Sequence, residues 1–364
     1  MSVKTLTTDI LVIGGGAAGL SAAAEAAGAG AQVLIIESDL QLGGQLIKQT
    51  HKFFGSKEEY AGTRGYKISG ILLNEIEEHK KNVSIHKNTT VVGYYPEDGI
   101  FTAMRGEDEY FHVSAKKTIV ASGAEESLTP FPNNDLPGVY GAGAVQTLMN
   151  VYGVTPGKRV FMMGAGNIGL IVSYQLLQAG AEVVGVCCRR PFVGGYWVHA
   201  AKIRRLGVPV MTQHTIKRAL GTDVVTGVIV YQLDDKMSPT GKEVQIDCDV
   251  ICLAVGLNPT TEILSQAGCA MQYVTQLCGY VPKRDGMLRT SHPDFWVAGD
   301  AAGIEEASSA MVEGRIAGLC AAGSLGLPVN MNKLQDYEAR LAALRAGEVG
   351  ANIRQGIECV LCEW

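Results

Sequence analysis

The feature that most constrains this chain is a repeat. Near the start, a strand "DILVIGGG" runs into glycines at 14, 16 and 19, a small-residue helix "AAGLSAAAEAAGAG" and a second strand "QVLIIE". From Lys158 the same order returns as "RVFMMG", glycines at 164, 166 and 169, the helix "LIVSYQLLQAG" and the strand "EVVGVCC". Apolar strand, glycine turn, apolar helix and apolar strand form a βαβ opening. Two openings in 364 residues fit a chain long enough for two compact cores. The expected fold class is therefore α/β, with two Rossmann-like dinucleotide-binding domains. A β meander follows each opening. The first is expected as the strand "SIHKNTTVVGYYP" and the hairpin "GIFTAMRGEDEYFHVSAKKTIVASG", the second as "VVTGVIVYQLDD" through "ICLAVG". The polar, proline-bearing stretch "AEESLTPFPNNDLPG" reads as a crossing between domains. The simplest topology places one domain inside the other. Residues 1–140 and 270–364 are expected to form one nucleotide-binding domain with a C-terminal tail, and residues 141–269 a second, inserted one.

The glycines have separate tasks. Gly14 permits the tight turn, Gly16 admits a pyrophosphate to the backbone, and Gly19 lets the helix approach the strand. Ala17 and Ala18 open the helix, whose first N–H groups and partial positive charge face the phosphates. Glu37 ends the second strand, where a carboxylate can accept ribose hydroxyls. Gly164, Gly166 and Gly169, with Asn167 and Ile168 opening the helix, repeat that pyrophosphate grip. The ribose end differs. The count that leads from Gly14 to Glu37 leads from Gly164 to Cys187, followed by Cys188, Arg189 and Arg190. A thiol offers no carboxylate grip on a ribose 2′-hydroxyl. Arg189 and Arg190 could instead pair with a 2′-phosphate, or simply face solvent at a strand end. The second site is thus open to NADP, NAD or another adenine nucleotide such as ATP.

Two further segments argue for FAD at the first turn. One is "LGGQL" after Glu37. The other is "TSHPDFWVAGD", whose Gly299 and Asp300 end an apolar strand and can bring a carboxylate beside a ribityl chain. With "VIGGGAAGL", "TIVASGA", "GAGNIG" and "ICLAVGLNP", these segments cover nearly the whole chain. It resembles the pyridine nucleotide–disulfide oxidoreductase superfamily of two-dinucleotide-domain flavoproteins, and "GGQL" resembles its thioredoxin-reductase branch. The resemblance implies FAD contacts at Gly14, Gly16, Gly19, Glu37, Gly44, Gln45, Val91, Gly123 and Asp300, with Ala17, Ala18 and Gly299 beside them.

Disulfide reductases of this class carry a cysteine pair beside the flavin, because hydride leaves the flavin by attack on a disulfide. Neither "GGQLIKQTHKFFG" nor "LPGVYGAGAVQTLMN" contains a cysteine. That absence, with the second stretch itself, resembles the alpha-type subunits of heteromeric sarcosine oxidase and dye-linked proline dehydrogenase, and the equivalent subunits of hydrogen cyanide synthase and opine oxidases. The resemblance implies a hetero-oligomer with a small iron–sulfur subunit, together with an amine or amino-acid dehydrogenase subunit. FMN or iron–sulfur centres would lie in those partners. A self-contained NAD(P)H-dependent flavin reductase and a nucleotide-binding scaffold stand as alternatives. Several relatives continue into a cysteine-rich domain where this chain has "ECVLCEW". Cys359 and Cys362 are accordingly read as incidental thiols, as a metal or cluster ligand pair, or as a redox tail. Lys48 and His51, following "GGQL", are candidate catalytic residues that could stabilise negative charge or relay a proton.

The remaining bulk properties exclude other classes. A formal net charge of −5 with no basic patch or tail argues against nucleic acid. No stretch reads as a transmembrane span or signal peptide. Nine scattered cysteines, an odd number, suit reduced thiols and a cytoplasmic location.

Overall fold

The computed structural model describes residues 3–348 and 350–363. The chain divides into two compact units, one of residues 1–125 with 258–364 and one of residues 126–257. Both crossings fall earlier than the expected 140/141 and 269/270. Val139–Gly141 is an edge strand paired with Val250–Leu253, and Phe131 lies in the core beneath that sheet, which draws residues 126–140 into the second unit. Leu264, Ala267 and Cys269 pack with Leu11, Phe101 and Val297, which draws residues 258–269 into the first.

The first unit is built on a seven-stranded sheet. Lys4–Ile13 lies at its centre, parallel to Val33–Ile36 on one side and to Glu109–Val120 on the other. Val83–His86 extends the sheet beyond Val33–Ile36. Glu109–Val120 is long enough to serve two partners. It pairs antiparallel with Ile100–Arg105 through its first half and parallel with Phe295–Val297 through its last residues. Thr89–Tyr95 completes the meander. The expected single strand "SIHKNTTVVGYYP" is therefore two. Asn88 breaks it with a left-handed φ of 51°, a conformation asparagine tolerates better than most residues. Alternation along the central strand feeds two cores. Ile10 and Val12 face helices Ala17–Gly28 and Ala307–Ser324, while Leu11 and Ile13 face Phe101 and Phe295. Full burial of each such side chain contributes about 1.5–3 kcal/mol.

The second unit has an all-parallel five-stranded sheet, ordered Val210–Thr212, Glu182–Cys188, Arg159–Met163, Val250–Leu253, Val139–Gly141. The antiparallel strands His214–Leu220, Gly227–Leu233 and Pro239–Asp247 form a separate sheet. Val160 and Met162 face one core, Phe161 and Met163 the other. No helix among the described residues is long and apolar enough to cross a membrane.

Candidate functional site

The two glycine turns have nearly the same backbone. Gly14 has φ +104° and Gly164 φ +120°, a region that side chains with a Cβ rarely adopt. A Cβ on Gly14 would lie 2.3 Å from the Ala121 carbonyl oxygen, and one on Gly164 would lie 2.1 Å from that of Ala254. The Gly14 N–H donates to the Ile36 carbonyl and the Gly164 N–H to the Cys187 carbonyl, both at 2.8 Å. Helices Ala17–Gly28 and Asn167–Gln178 start after Gly16 and Gly166, and neither N-cap places a side chain on the helix end. Their first N–H groups are thus left for a bound anion.

The loop after each second strand folds back on its turn. Gly43 N–H donates to the Gly15 carbonyl at 2.7 Å, and Gly195 N–H donates to the Ala165 carbonyl at 2.9 Å. The repeat therefore extends to one further glycine, Gly43 in the first unit and Gly195 in the second, each lying in a Gly-Gly pair. "LGGQL" and "VGGYW" were the sequence signal for this match. Tyr196 N–H then donates to the Asn167 side-chain oxygen at 2.7 Å, a bond to which the first turn, with Ala17 at that place, has no counterpart.

Residue counting misplaces the ribose end of the second turn. Ile13 pairs with Ile36, while Met163 pairs with Cys187. Cys187 thus corresponds to Ile36, and Cys188 stands where Glu37 stands. The cause is a bulge between Val183 and Gly185, which adds a residue to one strand only. The two side chains differ sharply. Glu37 is buried and accepts from Gly15 N–H at 2.7 Å, Asp39 N–H at 2.8 Å and the Ser38 hydroxyl at 3.1 Å. Half-buried Cys188 directs its Sγ to the carbonyls of Arg190 and Phe192 at 3.6 and 3.7 Å. Burial pushes its thiol above the ordinary value, so it stays neutral. Cys187 is fully buried and its thiol is raised further. Arg189 and Arg190 are both exposed, and the Arg190 guanidinium lies 6.0 Å from the Phe192 ring centroid.

Most of the first unit's candidates converge. Gly44 packs on Gly16, whose Cβ would meet the Gly44 Cα at 3.8 Å. Gln45 follows in the short 3₁₀ helix Gly44–Lys48, which ends in half-buried Lys48. His51, also half-buried, stacks on Phe53 with centroids 6.0 Å apart. Phe53 is core, while Phe54 is exposed. Gly123 adjoins the segment that passes under Gly14, and its carbonyl accepts from Thr260 N–H at 3.0 Å. Val91 lies on the strand that starts at Thr89, whose N–H donates to the Glu37 carbonyl at 2.9 Å. Gly299 packs against the start of helix Ala17–Gly28, where its Cβ would come within 2.9 Å of Ala18 Cβ. This brings Asp300 to the mouth of the first turn. Burial, with help from Glu313 and Glu305, pushes the Asp300 carboxyl up to about 6.

The residues fit a dinucleotide at the first turn. Gly14 makes a tight turn in which a Cβ would collide with the Ala121 carbonyl, the helix end is uncapped, Glu37 is held at the turn, and a half-buried carboxyl stands at Asp300. The terminal cysteines fit a metal less well. Cys359 is exposed on helix Ala351–Val360, and its Sγ points to the Gln355 carbonyl at 3.3 Å. Among the described residues no three His, Cys, Asp or Glu side chains are grouped as a metal would need. The nine cysteines are all free thiols. Sequence reasoning missed Glu313, Arg284 and Arg345, which lie behind Asp300. A signal existed in "EGRIAG", where an acid interrupts a helix of small residues.

Residues 8–314 match the pyridine nucleotide-disulphide oxidoreductase family, and the chain belongs to it. It is thereby an FAD-dependent oxidoreductase, and membership supports binding of FAD and NAD(P). Among individual proteins, it is 26% identical over 353 residues to an opine oxidase subunit of Agrobacterium tumefaciens (strain Ach5), covering 93% of this chain and 70% of that one. It is 28% identical over 334 residues to the alpha subunit of sarcosine oxidase from Corynebacterium sp. (strain P-1), covering 88% of this chain and only 33% of that protein. It is 27% identical over 361 residues to the HcnB subunit of hydrogen cyanide synthase from Pseudomonas protegens, covering 93% and 76%. Two solved structures share the fold. L-proline dehydrogenase from P. horikoshii matches with a TM-score of 0.72 at 23% identity, covering 94% of this chain and 60% of that one. T. acidophilum thioredoxin reductase matches with a TM-score of 0.69 at 23% identity, covering 88% and 99%.

Proposed function

We propose that this chain is the FAD-bearing electron-transfer subunit of a heteromeric amine or amino-acid dehydrogenase. The observation that carries this reading is an intact dinucleotide turn with no cysteine pair beside it. Neither residues 43–55 nor residues 136–150 contain a cysteine. Electrons on the flavin therefore have no built-in thiol outlet, and they pass to another carrier. Relatives that are named subunits of oxidases support a partner subunit as that carrier.

FAD, when bound, supplies two-electron redox chemistry. The chain's own residues bind and orient it. The Gly14–Gly19 turn and the N-terminus of helix Ala17–Gly28 would hold the pyrophosphate, and Glu37 would accept ribose hydroxyls. Asp300 would accept from the ribityl chain, with Gly44, Gln45, Val91 and Gly123 lining the same turn. Lys48 offers a cation and His51 a proton-carrying ring after the 3₁₀ helix. The FAD-binding role falls to the unit of residues 1–125 and 258–364, and the second nucleotide to residues 126–257.

A second reading is a self-contained NAD(P)H-dependent flavin reductase. It is favoured by the second turn, whose pyrophosphate geometry matches the first. Cys188 in place of a carboxylate, with Arg189 and Arg190 beyond it, favours a 2′-phosphate over a free 2′-hydroxyl. Native mass spectrometry of the assembly from its source, with released cofactors identified, tests the main reading. Co-purification with an amine-oxidising protein is expected, and a lone FAD protein bleached rapidly by NADPH under anaerobic conditions would replace it with the second. An adenine nucleotide other than NAD(P) in the second site, with no bleaching by NADH or NADPH, would assign that site a scaffold role.

A further inference from the structure

A cluster of buried charges lies directly behind the Gly299–Asp300 turn. Arg284 is 2% exposed, and its guanidinium donates to the Ala302 carbonyl and approaches Glu313 at 3.6 Å. Glu313 is equally buried. One of its carboxylate oxygens accepts from Gly299 N–H at 2.9 Å, and the other accepts from Arg345 at 2.6 Å. Arg345 also binds Glu305 through its Nε at 3.0 and 3.1 Å. Glu305 and Glu313 thus share Arg345, and Arg284 stands beside Glu313.

Both arginines are anchored by the C-terminal segment. Arg284 N–H donates to the Val360 carbonyl at 3.0 Å, and Cys362 N–H donates to the Arg284 carbonyl at 2.9 Å. Arg354, on helix Ala351–Val360, donates to the carbonyls of Arg345 and Gly347. The same helix places Gly356 against Leu277, which in turn packs on Gly303. A buried cation is costly unless it is paired, and both arginines reach Glu313, the acceptor of Gly299 N–H. Their geometry serves the turn rather than the core.

We propose that Arg284 and Arg345 are positioning residues for the flavin: held by the C-terminal segment, they fix Glu313 on Gly299 and set the charge balance beneath the Gly299–Asp300 turn. The inference rests on FAD occupying the first turn. Removing an arginine leaves carboxylates uncompensated beside the flavin and disfavours added negative charge there. Removing the Glu313 charge does the opposite.

The test is the midpoint potential of bound FAD in the full-length holoprotein, measured by anaerobic dye-coupled titration. Arg284→Met is expected to lower the ratio of reduced-to-oxidised flavin affinity about tenfold, a fall of about 30 mV for two electrons. Glu313→Gln keeps an acceptor for Gly299 N–H and is expected to raise the potential by a similar amount. Arg284→Lys keeps the charge and should stay near wild type. Should Arg284→Met fail to fold, Arg345→Met carries the same downward expectation at a more accessible position. Potentials unchanged, or moved in the same direction by Arg→Met and Glu→Gln, would overturn the proposal and leave a merely structural cluster. A wild-type protein that takes up no FAD would sink the functional reading itself, a result distinct from an FAD protein whose potential ignores these variants.

Discussion

The two glycine turns are alike where they would meet phosphate and unlike where they would meet ribose. Gly14 and Gly164 share their left-handed φ, their hydrogen bond to the neighbouring strand and their clash-limited approach to an alanine carbonyl. Beyond the turn, a buried carboxylate with three donors stands opposite a half-buried neutral thiol. Backbone geometry and side-chain chemistry have therefore been separated. The grip on a pyrophosphate depends on the first and is common to both turns. The identity of the nucleotide depends on the second and differs.

The hardest way to break this comparison is at the shared glycines. Gly14→Ala forces a Cβ toward the Ala121 carbonyl at an unfavourable φ, a conflict of about 2–4 kcal/mol. Loss of nearly all bound FAD is expected in the flavin-to-protein absorbance ratio. Gly164→Ala should leave FAD content intact and remove nucleotide binding at the second turn, read by calorimetry. Equal FAD loss in both variants would contradict two independent turns.

The unlike ends give smaller effects. Glu37→Gln is expected to weaken FAD about 10- to 100-fold in equilibrium dialysis, as a charge-assisted bond is lost. Cys188→Glu should move the second turn toward NADH, about tenfold relative to NADPH, whereas Cys187→Glu should bury a charge and unfold the unit. Arg189→Ala should weaken NADPH more than NADH. An equal effect on the two nucleotides would remove support for the 2′-phosphate reading.

Asp300 supplies a pH test. Its folded pKa of about 6 lies above its ordinary value of 3.8, so ionisation disfavours the folded apoprotein. The penalty is absent below about pH 4, grows between pH 4 and 6, and is complete above pH 6. Asp300→Asn should therefore stabilise the apoprotein by about 1–3 kcal/mol at pH 7 and by almost nothing at pH 4, read as Tm. In the holoprotein the same variant should lose FAD affinity. The smallest effect is expected at the tail. Chelators should leave Tm unchanged, because Cys359 and Cys362 have no third ligand grouped with them among the described residues.

Much of this was legible in the sequence because it is local. Glycine spacing, an apolar strand before it and an apolar helix after it specify a turn whatever surrounds them. The unbroken apolar run "ILVI" specifies a strand buried on two faces. What escaped was set by single residues or by distant partners. The bulge at Val184 shifts the Glu37 equivalent by one position, and nothing in "AEVVGVCC" announces it. Asn88 divides an apparently continuous strand. The crossings were placed late because short edge strands pair with residues far along the chain. The arginine cluster joins residues 284, 313 and 345, whose proximity no local pattern encodes.

The pairing of residues 360–362 with Arg284 has a practical consequence for anyone handling this protein. A label or fusion attached at residues 360–362 would join a segment hydrogen-bonded to Arg284, behind the Gly299–Asp300 turn. A change in colour or redox behaviour in such a fusion would then report on the attachment. A label at exposed Val3, just ahead of the first strand, leaves that pairing alone.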